Sequence, residues 1–400
     1  MEVVNRSITE VSGVSCSSAW LGIKRDEIPD AALFALREPA TYAGVFTLNQ
    51  FRSACVDSAM ERLHGGSKVK AVLITSGNAN AGTGVEGRAD TEMLAEAVSD
   101  KLSCQADEVI VLHTGVIGVP LRAQRLLSNI PSLVAALSPD TQAGIEAARA
   151  MMTTDTFPKT AIRQLVIAGV HGTIAGVAKG AGMIHPRLAT MLSVIITDFT
   201  VSAGALQQAL QRAMKTSFNA ISVDGDTSPN DSVILLATGK SEGALDGEGY
   251  EAFCESLTDV CEELAQMIVR DGEGATKFIE IHVNGAASES DADKIASTIA
   301  TSPLVKTAFF GEDFNPGRII SAIGRAGVNI NLAKTTVSIG GLRVFGDGVF
   351  ENVNANEAER VMAQKEIVID VDLHAGDHDL RFFTCDLSYD YVRINGEYTT

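Results

Sequence analysis

Thr190 stands at a seam in the stretch KGAGMIHPRLATMLSVIITD, residues 179–198. A loop rich in glycine and proline precedes it, and a run of strand-forming residues follows. A threonine in front of a strand is ordinarily a strand residue with good β-propensity. Three neighbours suggest chemistry instead. Ala189 leaves the carbonyl before Thr190 sterically open, the Gly/Pro loop accommodates a strained bend, and Lys179 supplies a cation at the start of that loop. The chemistry that fits is an N-to-O acyl shift. The Thr190 hydroxyl attacks the Ala189 carbonyl, the peptide becomes an ester, and water cleaves it. The new chain then begins at Thr190, whose α-amino group has a reference pKa of roughly 7.7–8.0. Such an amine is a base matched to neutral pH, within reach of its own hydroxyl.

The elements that must position this residue read as short β-rich runs alternating with amphipathic stretches. KVKAVLIT (68–75) reads as a buried strand ending in the loop SGNANAGTG, and EVIVLHTGVIG as a strand running into a turn. Helical spacing covers 89–102, 120–137 and 143–152. QLVIAGVHGTIAGVAKG reads as a hairpin turning at VHG. MLSVIITDF, SVILLATG, KFIEIHVNG, KEIVIDVDL and LRFFTCDLS read as further strands. ALQQALQRAMKTSFNA and the segment 250–268 read as helices, and 243–249 as a surface loop. This pattern implies a layered α/β fold whose hairpin-like pairs make the sheets mixed or antiparallel. There is no internal repeat.

The chain has 400 residues, 46% of them hydrophobic and 20% charged, which is a globular composition. Its formal net charge of -18 repels phosphate backbones, so nucleic acid is not an expected partner. No apolar run approaches the roughly 18 residues that span a bilayer. MEVVNRSITE lacks the apolar core of a secretion signal, so the expected location is the cytoplasm. The six cysteines form no CxxC pair, which suggests neither a zinc site nor a disulfide framework; they are expected to be reduced and mostly buried. GKS (239–241) lacks the leading glycine of a phosphate loop, with Ile234 in its place. DGDTSPND (224–231) carries Pro229 and Leu235 where a calcium loop needs Gly and Glu. The seven histidines show no ligand spacing, and no metal is expected.

KGAGMIHPRLATML strongly resembles the cleavage segment of the ornithine acetyltransferase family, the bifunctional glutamate N-acetyltransferases. The resemblance runs through nearly the whole chain in order: GVFTLNQ (44–50), SGNANAGTG (76–84), TGVIGVPL (114–121), MTTDTFPK (152–159), the cleavage segment, SFNAISVDGDTSPND (217–231), DGEGATKF (271–278), SPLVKTAFFGED (302–313) and CDLSYDYVRINGEYTT (385–400). It implies an αββα layered fold and self-cleavage between Ala189 and Thr190. The products are an α chain (1–189) and a β chain (190–400) that stay together, as two α and two β chains.

The resemblance implies roles residue by residue. Thr190 matches the nucleophile that takes an acetyl group from N-acetylornithine and passes it to glutamate in a ping-pong route. Thr114 and Gly115 match the oxyanion-holding pair; Thr154, Lys179, Glu273, Asn395 and the terminal Thr400 match substrate contacts. No cofactor is implied, although acetyl-CoA stays open as a second acetyl donor. The chain departs from the family pattern at His185, where a small residue is usual, and at Arg187, where Asn is usual. It also has Asp313-Phe-Asn-Pro-Gly-Arg318 in place of DPNWGR, and Gly82 in place of a cysteine. Two alternatives stay open: an aminopeptidase or amidase using the same N-terminal nucleophile, and an unprocessed, inactive relative.

Overall fold

The fold is that of a computed structural model, which describes residues 6–25, 27–185, 191–241 and 243–397. Ala189, Thr190, Arg187 and Thr400 lie outside the described residues. Strands β1 (Val14–Ala19), β2 (Ala31–Phe46), β3 (Val69–Asn78), β4 (Val109–Val116), β5 (Lys159–Ile167), β6 (Val170–Lys179), β7 (Leu192–Thr197), β8 (Ile221–Ser222) and β9 (Ser232–Ala237) precede six more. These are β10 (Phe278–Ala286), β11 (Thr336–Ile339), β12 (Leu342–Gly346), β13 (Val349–Phe350), β14 (Glu366–Asp372) and β15 (His378–Cys385).

β2 is the hinge of the architecture. Its first half pairs with β1 and β3, and its second half with β9. The change falls where Arg37 and Glu38 are exposed, at Pro39, with a register shift between Ala35 and Ala40. Proline has no N–H for the ladder, and a bulge bends the strand, so one strand serves two leaves. Leaf one is β1-β2-β3-β4; leaf two is β2-β9-β7-β6-β5. β3–β4 and β7–β9 are parallel and the other pairs in the leaves are antiparallel, so the sheets are mixed.

The leaves pack face to face. Phe34, Val72, Ile74, Ile110 and Leu112 of leaf one share a core with Val177, Val194, Ile196, Ile234 and Leu236 of leaf two. Helices α1 (Ala54–His64), α2 (Gly84–Leu102), α3 (Ile130–Ala135) and α4 (Thr141–Ala150) follow in the first half, then α5 (Ala203–Thr216) and α6 (Gly247–Arg270). α2 and α3 cover the outer side of leaf one through Leu94, Val98 and Leu133. α5 and α6 cover leaf two. On α6 the buried residues Phe253, Leu257, Val260, Leu264 and Ile268 recur at helical spacing, each contributing about 1.5–3 kcal/mol on burial. Helix, sheet, sheet, helix is the αββα order.

The remaining chain builds a second, seven-stranded sheet, β13-β12-β11-β14-β10-β15-β8. One face packs on α7 (Glu289–Ala300), α8 (Pro303–Phe310), α9 (Pro316–Gly324) and α10 (Ala355–Met362). The chain is described to the end of α11 (Tyr389–Glu397). The six cysteines are free thiols, all buried except the half-buried Cys104.

Two sequence expectations are corrected. The helix expected over 120–137 is instead two 3-10 turns, Ala123–Arg125 and Leu127–Asn129, followed by the six-residue α3. Arg122 takes a left-handed φ of 58°, and the Asp90 carboxylate accepts the N–H groups of Arg122 and Ala123, both at 3.0 Å. A side chain thus satisfies donors that a helix would have used. The hairpin turns at Ala168–Gly169, not at VHG: both residues have positive φ, 50° and 79°, as a two-residue hairpin turn requires. Gly172 belongs to β6, where a Cβ would meet the Phe199 ring at 2.6 Å. In addition, α2 starts at Gly84, before the expected Ala89.

Candidate active site

One end of leaf two gathers the polar residues. The β5–β6 hairpin pairs Lys159 with Ala178, so Lys159 and Lys179 lie side by side at its open end. β7 and β9 begin at that same end, with Leu192 opposite both Lys179 and Ser232. α6 delivers Asp271 and Glu273 just past its C-terminus, and β4 ends at Thr114, Gly115 and Val116. Together with Thr153, Thr154, Met183, Asp224, Asn230, Tyr391 and Asn395, these segments enclose a cavity of ≈ 190 Å³. Thr114, Gly115, Thr154, Lys179, Glu273 and Asn395, all singled out from the sequence, line it.

Lys179 is buried at 3% exposure, and its ammonium donates to Thr153 Oγ1 at 2.9 Å and Thr114 Oγ1 at 3.2 Å. An ammonium has no lone pair to share, so Thr114 accepts here and keeps its own proton for another acceptor. Burial pulls the Lys179 pKa down, against the attraction of Asp155 at 4.0 Å. Gly115 has φ 132° and pairs with Gly77; a Cβ on it would come within 2.3 Å of the Gly77 backbone, so only glycine lets the two strands lie this close here. Gly182 serves a different approach, since a Cβ there would strike the Glu273 carboxyl at 2.4 Å. The Glu273 carboxylate accepts from Asn395 Nδ2 at 2.7 Å, and its N–H donates to Ala181 O at 2.9 Å. A cation on one wall and a carboxylate on the other suit a small molecule carrying both charges.

Behind the wall sits a charge cluster that sequence reasoning missed. Lys159 Nζ donates to Asp155 Oδ1 at 2.7 Å and Asp271 Oδ2 at 2.6 Å, and all three side chains are buried. Asp155 also accepts the Gly180 N–H at 2.6 Å, tying the loop after Lys179 to the cluster. Burial would raise the Asp155 pKa, but Lys159 and Lys179 hold it well below the carboxylate range. The signal available was MTTDTFPK, where an acid and a lysine four residues apart open a strand; its partner Asp271 is too distant in sequence to be inferred.

His113, directly before Thr114, is fully buried. Its Nδ1 lies 2.7 Å from Thr75 Oγ1 and its Nε2 3.3 Å from Thr91 Oγ1. Thr91 donates its own proton to Gly87 O, so it accepts from Nε2–H, and Thr75 donates to Nδ1. Burial pushes the His113 pKa down to about 3, keeping the ring neutral.

The DGDTSPND stretch acts as a clamp. Asp224 accepts the N–H groups of Met183 at 2.5 Å and Ile184 at 2.9 Å. Among the described residues, no group of three or more His, Cys, Asp or Glu is arranged to hold a metal ion. Of the departures from the family pattern, His185 reaches Ser222 Oγ at 3.2 Å near this clamp. Pro316 opens α9, capped by Asn315, and Gly82 lies beside Phe51, outside the cavity lining.

An αββα sandwich with a small, doubly charged cavity at the head of a central strand defines an enzyme of the α/β class acting on a polar metabolite. A family model described as the ArgJ family matches residues 15–400. The chain is 44% identical over 394 residues to the arginine biosynthesis bifunctional protein ArgJ of Geobacter sulfurreducens, covering 98% of this chain and 100% of the relative. It is 46% identical over 397 residues to that of Methylococcus capsulatus, covering 98% and 96%. The mitochondrial ArgJ of Schizosaccharomyces pombe is 40% identical over 417 residues, covering 99% and 94%. A crystal structure of ArgJ from Bacillus halodurans is 40% identical with a TM-score of 0.48, covering 50% of this chain and 96% of that chain. This chain belongs to the ArgJ family.

Proposed function

We propose that this chain is an ornithine acetyltransferase of arginine biosynthesis, moving the acetyl group of N2-acetylornithine to glutamate through an ester on Thr190. The observation that carries the reading is the convergence of Lys179, Glu273, Asn395, Thr114 and Gly115 on one cavity in a chain of this family. Lys179 suits the α-carboxylate that ornithine and glutamate share, and Glu273 suits an ammonium group. The route begins with cleavage between Ala189 and Thr190. The Thr190 hydroxyl then attacks the acetyl carbonyl, its amine takes the hydroxyl proton and returns it to the departing ornithine nitrogen, and glutamate's amine later takes the acetyl group. The tetrahedral oxyanion is held by Thr114 Oγ1–H and the Gly115 N–H, donors typically worth ~3 kcal/mol each.

In the same reading the α chain is 1–189 and the β chain 190–400. Two copies of each assemble, in the cytoplasm, with acetyl-CoA as a candidate second donor. No helix among the described residues is long and apolar enough to cross a membrane.

The test is direct. Purified protein on a denaturing gel runs as two pieces of nearly equal size, one beginning Thr-Met-Leu-Ser. Thr190→Ala remains one polypeptide and loses activity; a cleaved, active Thr190→Ala overturns the mechanism. Ornithine release from N-acetylornithine depends on glutamate. Equal release without glutamate would make the protein a hydrolase instead.

A further inference from the structure

Two segments far apart in sequence meet on one ammonium at the cavity wall. Lys179 Nζ donates to Thr153 Oγ1 at 2.9 Å and to Thr114 Oγ1 at 3.2 Å. Both threonines line the cavity, and Lys179 between them is 3% exposed. An ammonium carries three hydrogens, so two are committed and one is left to face a ligand. The Asp155 carboxylate lies 4.0 Å away, outside hydrogen-bond reach. With Glu273 it supplies negative charge that opposes the cost of burying the cation.

The loop that carries Thr153 is held on both sides of it. The Thr153 N–H donates to Asp155 Oδ2 at 3.1 Å, and the Met152 carbonyl accepts from Lys24 Nζ at 2.9 Å. Asp155 is fixed in turn by Lys159 and by the Gly180 N–H. Lys24 also leans on the strand pair beneath the site: a Cβ on Gly77 would meet its Cγ at 3.3 Å, and Gly77 pairs with Gly115. A half-buried threonine thus occupies a fixed seat, with its oxygen against a buried cation. The contact on the other side of that cation has a direction. Thr114 accepts from Lys179 and gives its own hydrogen onward. A hydroxyl that accepts from a cation becomes a stronger donor, because each bond in such a chain polarises the next.

We infer that Thr153 is a positioning residue for the oxyanion site: it holds the Lys179 ammonium against Thr114 Oγ1, so that the positive charge is relayed through the Thr114 hydroxyl to the oxygen of the tetrahedral intermediate. The inference rests on the reading of Thr114 and Gly115 as the oxyanion donors. An oxygen at hydrogen-bond distance from Thr114 Oγ1 lies no more than about 6 Å from Lys179 Nζ. The acetyl carbonyl of bound substrate is neutral and gains little from a cation at that range. The oxygen gains more as it takes on charge in the transition state, so the relay acts on kcat. The third Lys179 hydrogen stays free for a substrate carboxylate. Binding of that carboxylate therefore survives where the relay is broken.

Thr153→Val tests the assignment, because it keeps the shape of the side chain and removes the oxygen. In a variant that melts like the wild type, kcat for glutamate-dependent ornithine release should fall about tenfold, the worth of one hydrogen bond to a charged group, with KM for N-acetylornithine within about threefold. Thr153→Ser restores the hydroxyl and should bring kcat back to within about threefold of wild type. A raised KM with kcat intact overturns the inference, since Thr153 would then serve carboxylate binding alone. A folded Thr153→Ser as slow as Thr153→Val overturns it too. In a Thr114→Val background the relay has no hydroxyl to pass through, so adding Thr153→Val should cost less than about twofold; a further tenfold or so there sinks the idea. A crystal structure of Thr153→Val, cleaved or not, gives a readout independent of rate. Lys179 Nζ should stand more than about 4 Å from Thr114 Oγ1, and a gap still within about 3.3 Å counts against the relay decisively. If the wild type transfers acetyl and Thr153→Val matches it, this inference alone fails. If Thr190→Ala is cleaved and active, the reading beneath it fails.

Discussion

The molecule holds two networks of similar chemistry in opposite settings. Behind the cavity, Asp155, Lys159 and Asp271 form a cluster with side-chain exposures of 0–2%. At the exposed margin of the second sheet's other face, Glu280 accepts from Arg381 at 2.7 Å and pairs with His282 at 2.8 Å. His282 also reaches Asp370 at 2.9 Å, and Arg381 reaches Glu262 at 2.9 Å. There the exposures run from 20% to 50%. The histidines differ in the same way: His113 is enclosed by two hydroxyls, His282 stands between two carboxylates at the surface. The distances are alike, so distance does not set what each network does. Water on the surface screens the attraction and solvates either partner left alone, while the interior does neither.

The largest effect should come from Lys159→Met, which leaves two carboxylates buried without their shared cation. Chemical denaturation should show a loss of about 3–5 kcal/mol. A loss below about 1 kcal/mol would place the interior cluster on a par with the surface one and break the contrast. Next comes pH. His113 has its folded pKa lowered to about 3, so between that value and its unfolded value near 6.5 the unfolded chain binds a proton that the folded chain refuses. The stabilisation is complete above about pH 6.5 and is lost on acidification, by about 2 kcal/mol at pH 5. Asp155, whose folded pKa is depressed, adds its loss only below about pH 4. In His113→Gln the stability change between pH 7.5 and 5 should be smaller by that amount, whatever the variant's absolute stability; an unchanged difference would assign it elsewhere. The smallest effect should come from Arg381→Ala: at most about 1 kcal/mol, and less in high salt.

The same contrast separates what the sequence could tell from what it could not. The β5–β6 pair, α5, α6 and β7 were legible because alternation and helical spacing are local. The 120–137 segment was not, since its backbone is satisfied by Asp90, some thirty residues upstream. Lys179, Glu273 and Asn395 came through resemblance to a family; on bare sequence each is an ordinary surface residue. Lys159 and Asp271 went unassigned even so, because what marks them is burial beside distant groups. A lysine opening a strand carries no sign that Asp271 will close on it from the far end of α6.

β7 is an inner strand, hydrogen-bonded to β6 on one side and β9 on the other. If the backbone is severed just ahead of it, β7 itself stays held by a ladder on each flank, and the rupture costs the folded state little. The unfolded state changes entirely. An intact precursor finds its partner strands by searching within one molecule, whereas the nicked product, once denatured, must find them by collision between two. Recovery from urea should then be first order for uncleaved Thr190→Ala and dependent on protein concentration for the mature form, a molecule that has one good chance to fold.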